Sequence, residues 1–397
     1  MQLEAYSNAQ KGETGRQVAT RICASAKAWV AGGRPDLALV FISSHFVEDY
    51  EDILADLMGK LDPGYLVGCS GHGIIGAGRE FEDQPVISLL LLRHPDLKIT
   101  VHRAQQEQIE ESTGPGFWQM ETDVEPEKPR GIILLADPFT VAIDKLVHEV
   151  SEAYPEAPMI GGLASGDMSQ RATHLFEGAH VHQEGALLIF LEGPIRVKTV
   201  VSQGCKPIGE PRIITRAERN IIYEIANQPA LRVLNETVAA LDPDEKKRAQ
   251  RNIFAGLVVN EYIEEFHRGD FLVRNLIGAD QETGSLALGA LVRAGQTIQF
   301  QMRDAKAARE DMIELLTRAR AQLKGSQVKA GMLCSCNGRG EGLFGKPDHD
   351  PATVAEILGN FPVAGFFCNG EIGPIGQRAF VHGYTCAAGL ILDESTD

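Results

Sequence analysis

Aromatic side chains are scarce in this chain, at 6% of the sequence with two tryptophans. No apolar run approaches the roughly 18 residues of a membrane-spanning helix. The best candidates, residues 86–92 and 186–191, have the length of strands. The N-terminus lacks the basic segment and apolar stretch of a secretory signal. Runs rich in lysine and arginine are missing as well. The short cluster Lys246-Lys247-Arg248 follows Asp242, Asp244 and Glu245 and reads as a solvated helix face. With 38 Lys and Arg against 54 Asp and Glu, the formal charge is −16. Such a surface repels nucleic acid phosphates and anionic lipid, which argues against both as partners. Seven cysteines, an odd number scattered along the chain, suit reduced thiols in the cytoplasm and not a disulfide framework.

Familiar catalytic signatures are absent too. The residues after Gly73, Gly166 and Gly370 are Ile74, Asp167 and Glu371, so no phosphate loop ending in G-K-[ST] is present. Neither H-E-x-x-H nor a G-x-S-x-G elbow between strand and helix occurs. Residues 71–76 match G-x-G-x-x-G, but Ala77-Gly78-Arg79-Glu80 does not open an apolar-periodic helix. No catalytic residue and no metal ligand is therefore assigned.

The 397 residues are 44% hydrophobic and include 41 glycines, enough for two or three domains with a sizeable core. Residues 14–30 carry Val18, Ile22, Ala26 and Trp29 near helical spacing, and residues 37–42 form a continuous apolar run suited to a buried strand. Residues 47–61 read as helix and residues 65–69 as strand. Residues 86–92 and 97–101 look like strands paired across a His-Pro-Asp turn. Residues 113–130 read as a loop. Residues 271–277, 285–291 and 297–302 suggest an antiparallel meander, and residues 304–323 the longest helix, capped by Asp304. The pattern predicts an α/β fold with mixed sheets flanked by helices.

A strand, a helix, a second strand and then G-x-x-x-x-G occurs three times, at Gly68/Gly73, Gly161/Gly166 and Gly365/Gly370. In the last two copies a proline, Pro158 or Pro362, precedes the first glycine by three residues, and an acid, Asp167 or Glu371, follows the second. The regularity predicts repeated β-α-β units, each ending in a glycine turn, shared by two related halves that meet near residue 215. A first stretch, residues 1–36, is read as an N-terminal helix and extension.

The glycine turns carry the candidate ligand-binding residues. Cys69, Ser70 and His72 lie in the first turn, where a Cys/His pair also raises a nucleophile and base. A plain turn with a buried thiol explains them as well. Gln203 and Cys205 follow a strand and precede a Gly/Pro-rich turn. Cys336, Asn337, Arg339 and Glu341 lie in C-S-C-N-G-R-G-E, then come Cys368, Asn369 and Glu371, and finally His382. Cys334, Cys336, Cys368 and His382 could suggest zinc, but C-x-C is closer than the usual zinc spacing. Arg339 offers a planar fork suited to a ligand carboxylate, or to Glu341 or Glu371. Glu371 or Asp167 would take an ammonium group, and Asn337, Asn369, Gln203 and His382 would orient the ligand. The turns are expected to converge on a pocket between the halves. Arg339→Ala should then abolish binding and leave the fold intact.

G-G-L-A-S-G-D (residues 161–167), S-Q-G-C-K-P-I-G (202–209), C-N-G-R-G-E (336–341), G-F-F-C-N-G-E-I-G-P (365–374) and H-G-Y-T (382–385) occur in this order. Together they resemble the FIST family, from about residue 37 to about residue 392. The resemblance implies an N-terminal FIST domain over residues 37–215 and a C-terminal one over residues 216–392. It implies a sensory protein that binds a small ligand, amino acids having been proposed, and no cofactor. With no output module of its own, the chain would signal to a separate partner such as a histidine kinase or a cyclic-dinucleotide enzyme. Some members are described as haem-binding nitric oxide sensors, so haem is the cofactor of an alternative reading, with a histidine or a cysteine as axial ligand and His72, His148 and His382 as the candidates. A thiol-dependent enzyme is the second alternative. A eukaryotic branch joins an F-box, and no such segment is read before residue 37.

Overall fold

In the computed structural model, which describes residues 2–167, 171–249 and 252–394, the chain opens with strand β1 (Glu4–Lys11) and helix α1 (Gly15–Val30). Thr14 starts the helix, its Oγ1 accepting from the Gln17 amide as threonine does at an N-cap. Val18, Ile22 and Ala26 recur on one buried face. The next apolar run is β2 (Leu37–Ser43), buried at every position. Then come α2 (Tyr50–Leu61), β3 (Tyr65–Gly71), the hairpin β4 (Gly73–Gly76) and β5 (Arg79–Glu82), and β6 (Val86–Arg93).

This order recurs. The second copy runs through β7 (Lys98–Ala104), α3 (Gln106–Glu111), α4 (Pro115–Thr122), β8 (Gly131–Ala136), α5 (Ile143–Ala153), β9 (Met159–Leu163), the hairpin β10 (Leu175–Glu177) and β11 (His180–His182), and β12 (Ala186–Glu192). The third starts with β13 (Ile195–Gln203) and is interrupted by an insertion. Its elements are β14 (Cys205–Pro207), β15 (Arg212–Glu218), β16 (Ile221–Ile225), β17 (Gln228–Pro229), α6 (Ala230–Ala239), α7 (Pro243–Ala249), β18 (Ile253–Val258), β19 (Phe271–Asp280), β20 (Ser285–Leu288) and β21 (Thr297–Arg303). The third copy resumes with α8 (Ala305–Gln322), β22 (Val328–Cys336), α9 (Gly340–Phe344), α10 (His349–Leu358), β23 (Val363–Cys368), the hairpin β24 (Glu371–Ile375) and β25 (Arg378–His382), and β26 (Thr385–Asp393).

The copies build three six-stranded sheets of one design, β1-β6-β2-β3-β10-β11, β7-β12-β8-β9-β24-β25 and β13-β26-β22-β23-β4-β5. In each, a parallel pair, β2/β3, β8/β9 or β22/β23, sits at the middle. Its second strand would be an open edge, which invites wrong pairing. Each copy covers it with a hairpin borrowed from another: β10–β11 for the first sheet, β24–β25 for the second, β4–β5 for the third. The exchange is cyclic, so no copy completes its own sheet. One face of every sheet enters a common apolar core, where Phe41 of β2, Ile133 of β8 and Phe366 of β23 meet and the Phe41 and Phe366 rings stack at 5.0 Å. The outer face of the first sheet packs on α1 and α2, and that of the second on α4 and α5.

By compactness the chain has two units. One comprises Met1–Val201, Ile313–Val381 and Thr385–Asp397, which is the threefold arrangement; the other comprises Ser202–Met312 and His382–Tyr384. In the second unit β18 pairs with both β19 and β21, so β21-β15-β16-β20-β19-β18 closes on itself as an antiparallel barrel. Ile214, Ile222, Leu257, Leu286 and Phe300 fill it.

The fold is thus α/β with mixed sheets flanked by helices, and the repeated unit is present. Two copies lie before residue 215, and the third begins before it with β13 and resumes after the insertion with α8. Compactness cuts the chain at other points than residue 215. Several local expectations change. Residues 1–36 are not an extension: β1 pairs with β6 from Glu4 opposite Arg93 to Lys11 opposite Val86. The strands on either side of the His-Pro-Asp turn do not pair but enter different sheets. The loop expected at 113–130 contains α4, opened by Pro115 at its first turn, where a missing N–H is harmless. The meander is part of the barrel, since β20 pairs with β16 and β19 and not with β21. Among the described residues, no helix is long and apolar enough to cross a membrane.

Candidate functional site

The three first glycines occupy equivalent places. Gly68, Gly161 and Gly365 lie opposite Val40, Leu134 and Leu333 in the three parallel pairs. A Cβ at these positions would sit 1.7, 1.8 and 1.9 Å from the carbonyl oxygens of those partners. Only glycine fits so close an approach of two backbones. The spacing read in the sequence therefore marks the carboxyl ends of three parallel strand pairs, where α/β sheets commonly bind ligands.

The turns after these strands touch one another. Ser70 Oγ donates to the Ser165 carbonyl at 2.8 Å, and the Ser165 amide donates to the Ser70 carbonyl at 3.1 Å. The His72 amide donates to Ser165 Oγ at 2.8 Å, and Ser165 Oγ donates in turn to the Phe367 carbonyl. Asn369 closes the set: Nδ2 donates to the Ala164 carbonyl at 2.9 Å and its amide to the Leu163 carbonyl at 3.1 Å. All three turns belong to the threefold unit, so they converge within one compact unit rather than between two halves. Ser165, which links the three, was not a candidate in the sequence. A serine inside a Gly-Leu-Ala-Ser-Gly turn carries no pattern of its own.

The third turn holds the densest polar chemistry. Asn337 Nδ2 donates to Asn369 Oδ1 at 2.9 Å, and the Asn337 amide to the Cys368 carbonyl at 3.1 Å. Cys336 lies opposite Cys368 in the parallel pair. Glu371, the first residue of β24, is 0% exposed. Its Oε2 accepts from the Thr385 amide at 3.1 Å. Its Oε1, like Asn337 Oδ1, has no donor among the described residues. Burial pushes the Glu371 carboxyl well above the usual carboxylate range, opposed by the Thr385 amide and the Arg339 charge.

Arg339 does not serve as the expected fork for a ligand carboxylate. It is 1% exposed, and Asp350 of α10 is 0% exposed. Arg339 Nε donates to Asp350 Oδ2 and Nη2 to Oδ1, both at 2.8 Å. Ser335 Oγ also donates to Asp350, at 2.7 Å, and His349 Nδ1 lies 2.9 Å from its Oδ1. Burial alone would raise the Asp350 carboxyl, but the Arg339 guanidinium and these bonds hold it well below the carboxylate range. Glu80 of the borrowed strand β5 accepts the His349 and Asp350 amides at 3.1 and 3.2 Å. Burial and the nearby Asp350 charge push it up to about 8. The partner of Arg339 was invisible in the sequence because α10 begins with His-Asp-Pro, which reads as an ordinary helix start, and Glu80 comes from another copy.

The thiols are shielded. Cys69, Cys368 and Cys386 are raised well above the ordinary thiol value, in each case chiefly by burial. Cys336 is half-buried and the other six cysteines are buried. Among the described residues, no group of three or more His, Cys, Asp or Glu is placed to hold a metal ion.

The remaining candidates are dispersed. His72, Asp167 and Glu341 are exposed. Gln203, Cys205 and His382 belong to the barrel unit. There the Gln203 amide donates to Asp311 at 2.9 Å and its Nε2 to the Phe271 carbonyl at 2.7 Å, while Cys205 packs on Phe254 and Val273. His382 is buried. His148 lies on the exposed side of α5, 3.7 Å from Glu152. A surface hollow of about 590 Å³ beside Arg232 and Gln281, and one of about 450 Å³ beside Leu323 and Phe361, contain none of these residues.

Known proteins place the chain in a family. An uncharacterized protein of Mycobacterium tuberculosis is 36% identical over 382 residues, 95% of this chain and 97% of that protein. An uncharacterized protein of Mycobacterium bovis is also 36% identical, over 96% of each chain. Among solved structures, the cyanuric acid hydrolase of A. caulinodans aligns over 99% of this chain and 100% of its own, at 10% identity and a TM-score of 0.37. T. maritima PurL complexed with ATP aligns over 98% of this chain and 71% of its own, at 11% identity and a TM-score of 0.24. Likeness that low carries no argument about fold or activity. Residues 36–228 match the FIST N domain and residues 230–374 the FIST C domain, so this chain belongs to the FIST family, whose domains are associated with sensory signalling.

Proposed function

We propose that this protein is an intracellular sensor that binds a small ligand at the carboxyl ends of β22 and β23 and signals to a separate protein, such as a histidine kinase or a cyclic-dinucleotide enzyme. The observation that carries the reading is Glu371. A carboxyl group 0% exposed, with one oxygen lacking any donor among the described residues, is costly unless something completes it. Its neighbours Cys336, Asn337 and Asn369 are only half-buried, so the group lies one layer below the surface. A small ligand entering there would supply the missing donor.

In this reading the site acts by binding, without thiol chemistry at Cys69 or Cys368. A nucleophilic thiol requires a lowered pKa, and burial moves Cys69 and Cys368 the other way. The test is a thermal-shift screen of amino acids and small metabolites, with an absorption spectrum of protein produced with haem available. A colourless protein stabilised by one ligand class, with the shift lost in Glu371→Gln, supports the reading. A Soret band lost on replacing one histidine would put the haem sensor in its place.

A further inference from the structure

The chemistry offered at this site is one-sided. On Glu371 and Asn337, the atoms without a partner among the described residues are Oε1 and Oδ1; Oδ1 is an acceptor, and Oε1 becomes one when the carboxyl ionises. The nearby group that could have held an anion, Arg339, is 1% exposed and committed to Asp350 through two bonds of 2.8 Å. A ligand carboxylate would find that guanidinium already neutralised and would face the Glu371 carboxyl. An ammonium or other N–H-rich cation would meet acceptors.

Resting on the sensor reading above, we infer that the ligand is an amine whose cationic nitrogen is held by Glu371 and Asn337, and that it needs no α-carboxylate to bind. An ammonium carries three donors, enough for Glu371 Oε1, Asn337 Oδ1 and one further acceptor. A buried carboxyl without a cation keeps its proton, because desolvation disfavours the charged form, and burial acts on Glu371 in this direction. Binding of the ammonium reverses the balance. The carboxyl O–H bond breaks, its proton leaves to solvent, and the carboxylate pairs with the ammonium. The site exchanges one positive charge for another, and its net charge does not change. Amine binding is therefore expected to release protons and to tighten as pH rises, up to the point where the amine itself loses its charge.

The experiment is titration calorimetry on the full chain with matched pairs: alanine and ethylamine, glutamate and 4-aminobutyrate, lysine and cadaverine, histidine and histamine. Runs in buffers of different ionisation enthalpy count the protons released. The expected result is that, in at least one pair, the compound without the α-carboxylate binds at least tenfold more tightly, with protons released on binding. Glu371→Gln should lose both the binding and the proton release. If only the α-amino acids bind, the inference is wrong and the sensor reading survives. It is also wrong if sodium or potassium alone reproduces the heat, or if no proton is released from the wild-type protein, a measurement that does not depend on the variant folding. If no compound binds in these titrations or in the wider metabolite screen, the sensor reading fails.

Discussion

Arg339 and Asp350 form a closed pair inside the threefold unit, with two guanidinium nitrogens each 2.8 Å from a carboxylate oxygen and neither residue more than 1% exposed. The pair ties the turn after β22 to the first turn of α10. Removing one partner of a buried pair leaves the other charge uncompensated, at a cost of about 3–5 kcal/mol. Arg339→Ala and Asp350→Ala are therefore expected to lower the urea midpoint steeply. The combined Arg339→Met and Asp350→Leu replacement should recover most of the loss. If Arg339→Ala unfolds like the wild type, the pair is not structural and the residue becomes a candidate ligand group again.

The three glycines opposite backbone carbonyls should behave alike. Gly365→Ala would place a Cβ 1.9 Å from the Leu333 oxygen, which forces the strands apart and should cost about 3 kcal/mol. Gly68→Ala and Gly161→Ala should cost about as much. Gly59 lies in α2, where a Cβ would meet nothing within 4 Å, so Gly59→Ala should stabilise by about 0.5–1 kcal/mol. Chemical denaturation of the four variants tests whether the spacing read in the sequence marks equivalent places.

Thiol counting separates binding from thiol chemistry. With six of seven cysteines buried and Cys336 half-buried, a disulfide reagent at pH 7 should titrate at most one thiol in the native protein, and that one should vanish in Cys336→Ser. All seven should react in denaturant. Fast reaction at Cys69 or Cys368 would reopen the enzyme reading.

The Glu80 carboxyl gives stability a pH dependence of known sign. Its folded value is raised from 4.5 to about 8, so the folded protein binds the proton more tightly than the unfolded chain does. This group's contribution is fully present below pH 4.5 and is lost as pH rises towards about 8, with a limiting slope of about 1.4 kcal/mol per pH unit. Glu80→Gln should flatten that part of the curve. Asp350 has the opposite sign: its carboxyl is held low, and its contribution is lost as pH falls through 3.8 and below. Denaturation at several pH values, wild type against Glu80→Gln, measures the difference.

The sequence by itself determined the strands, most of the helices and the threefold recurrence of the glycine turn. Each depends on local rules: continuous apolar runs for strands buried on both faces, helical spacing as in residues 14–30 or after a capping Asp304, and glycine where two backbones approach. It also marked the third turn, from Cys336 to Glu371, as the place where polar residues gather. Tertiary structure decided the rest. Which sheet a hairpin completes depends on another copy's open edge, so β4–β5, β10–β11 and β24–β25 leave no local signal of their destination. The closure of the barrel rests on β18 meeting β21, elements separated in sequence by β19 and β20. Above all, the role of Arg339 was open until α10 brought Asp350 beside it. A guanidinium pairs with a carboxylate within reach, and only the folded chain shows that this one comes from the protein itself.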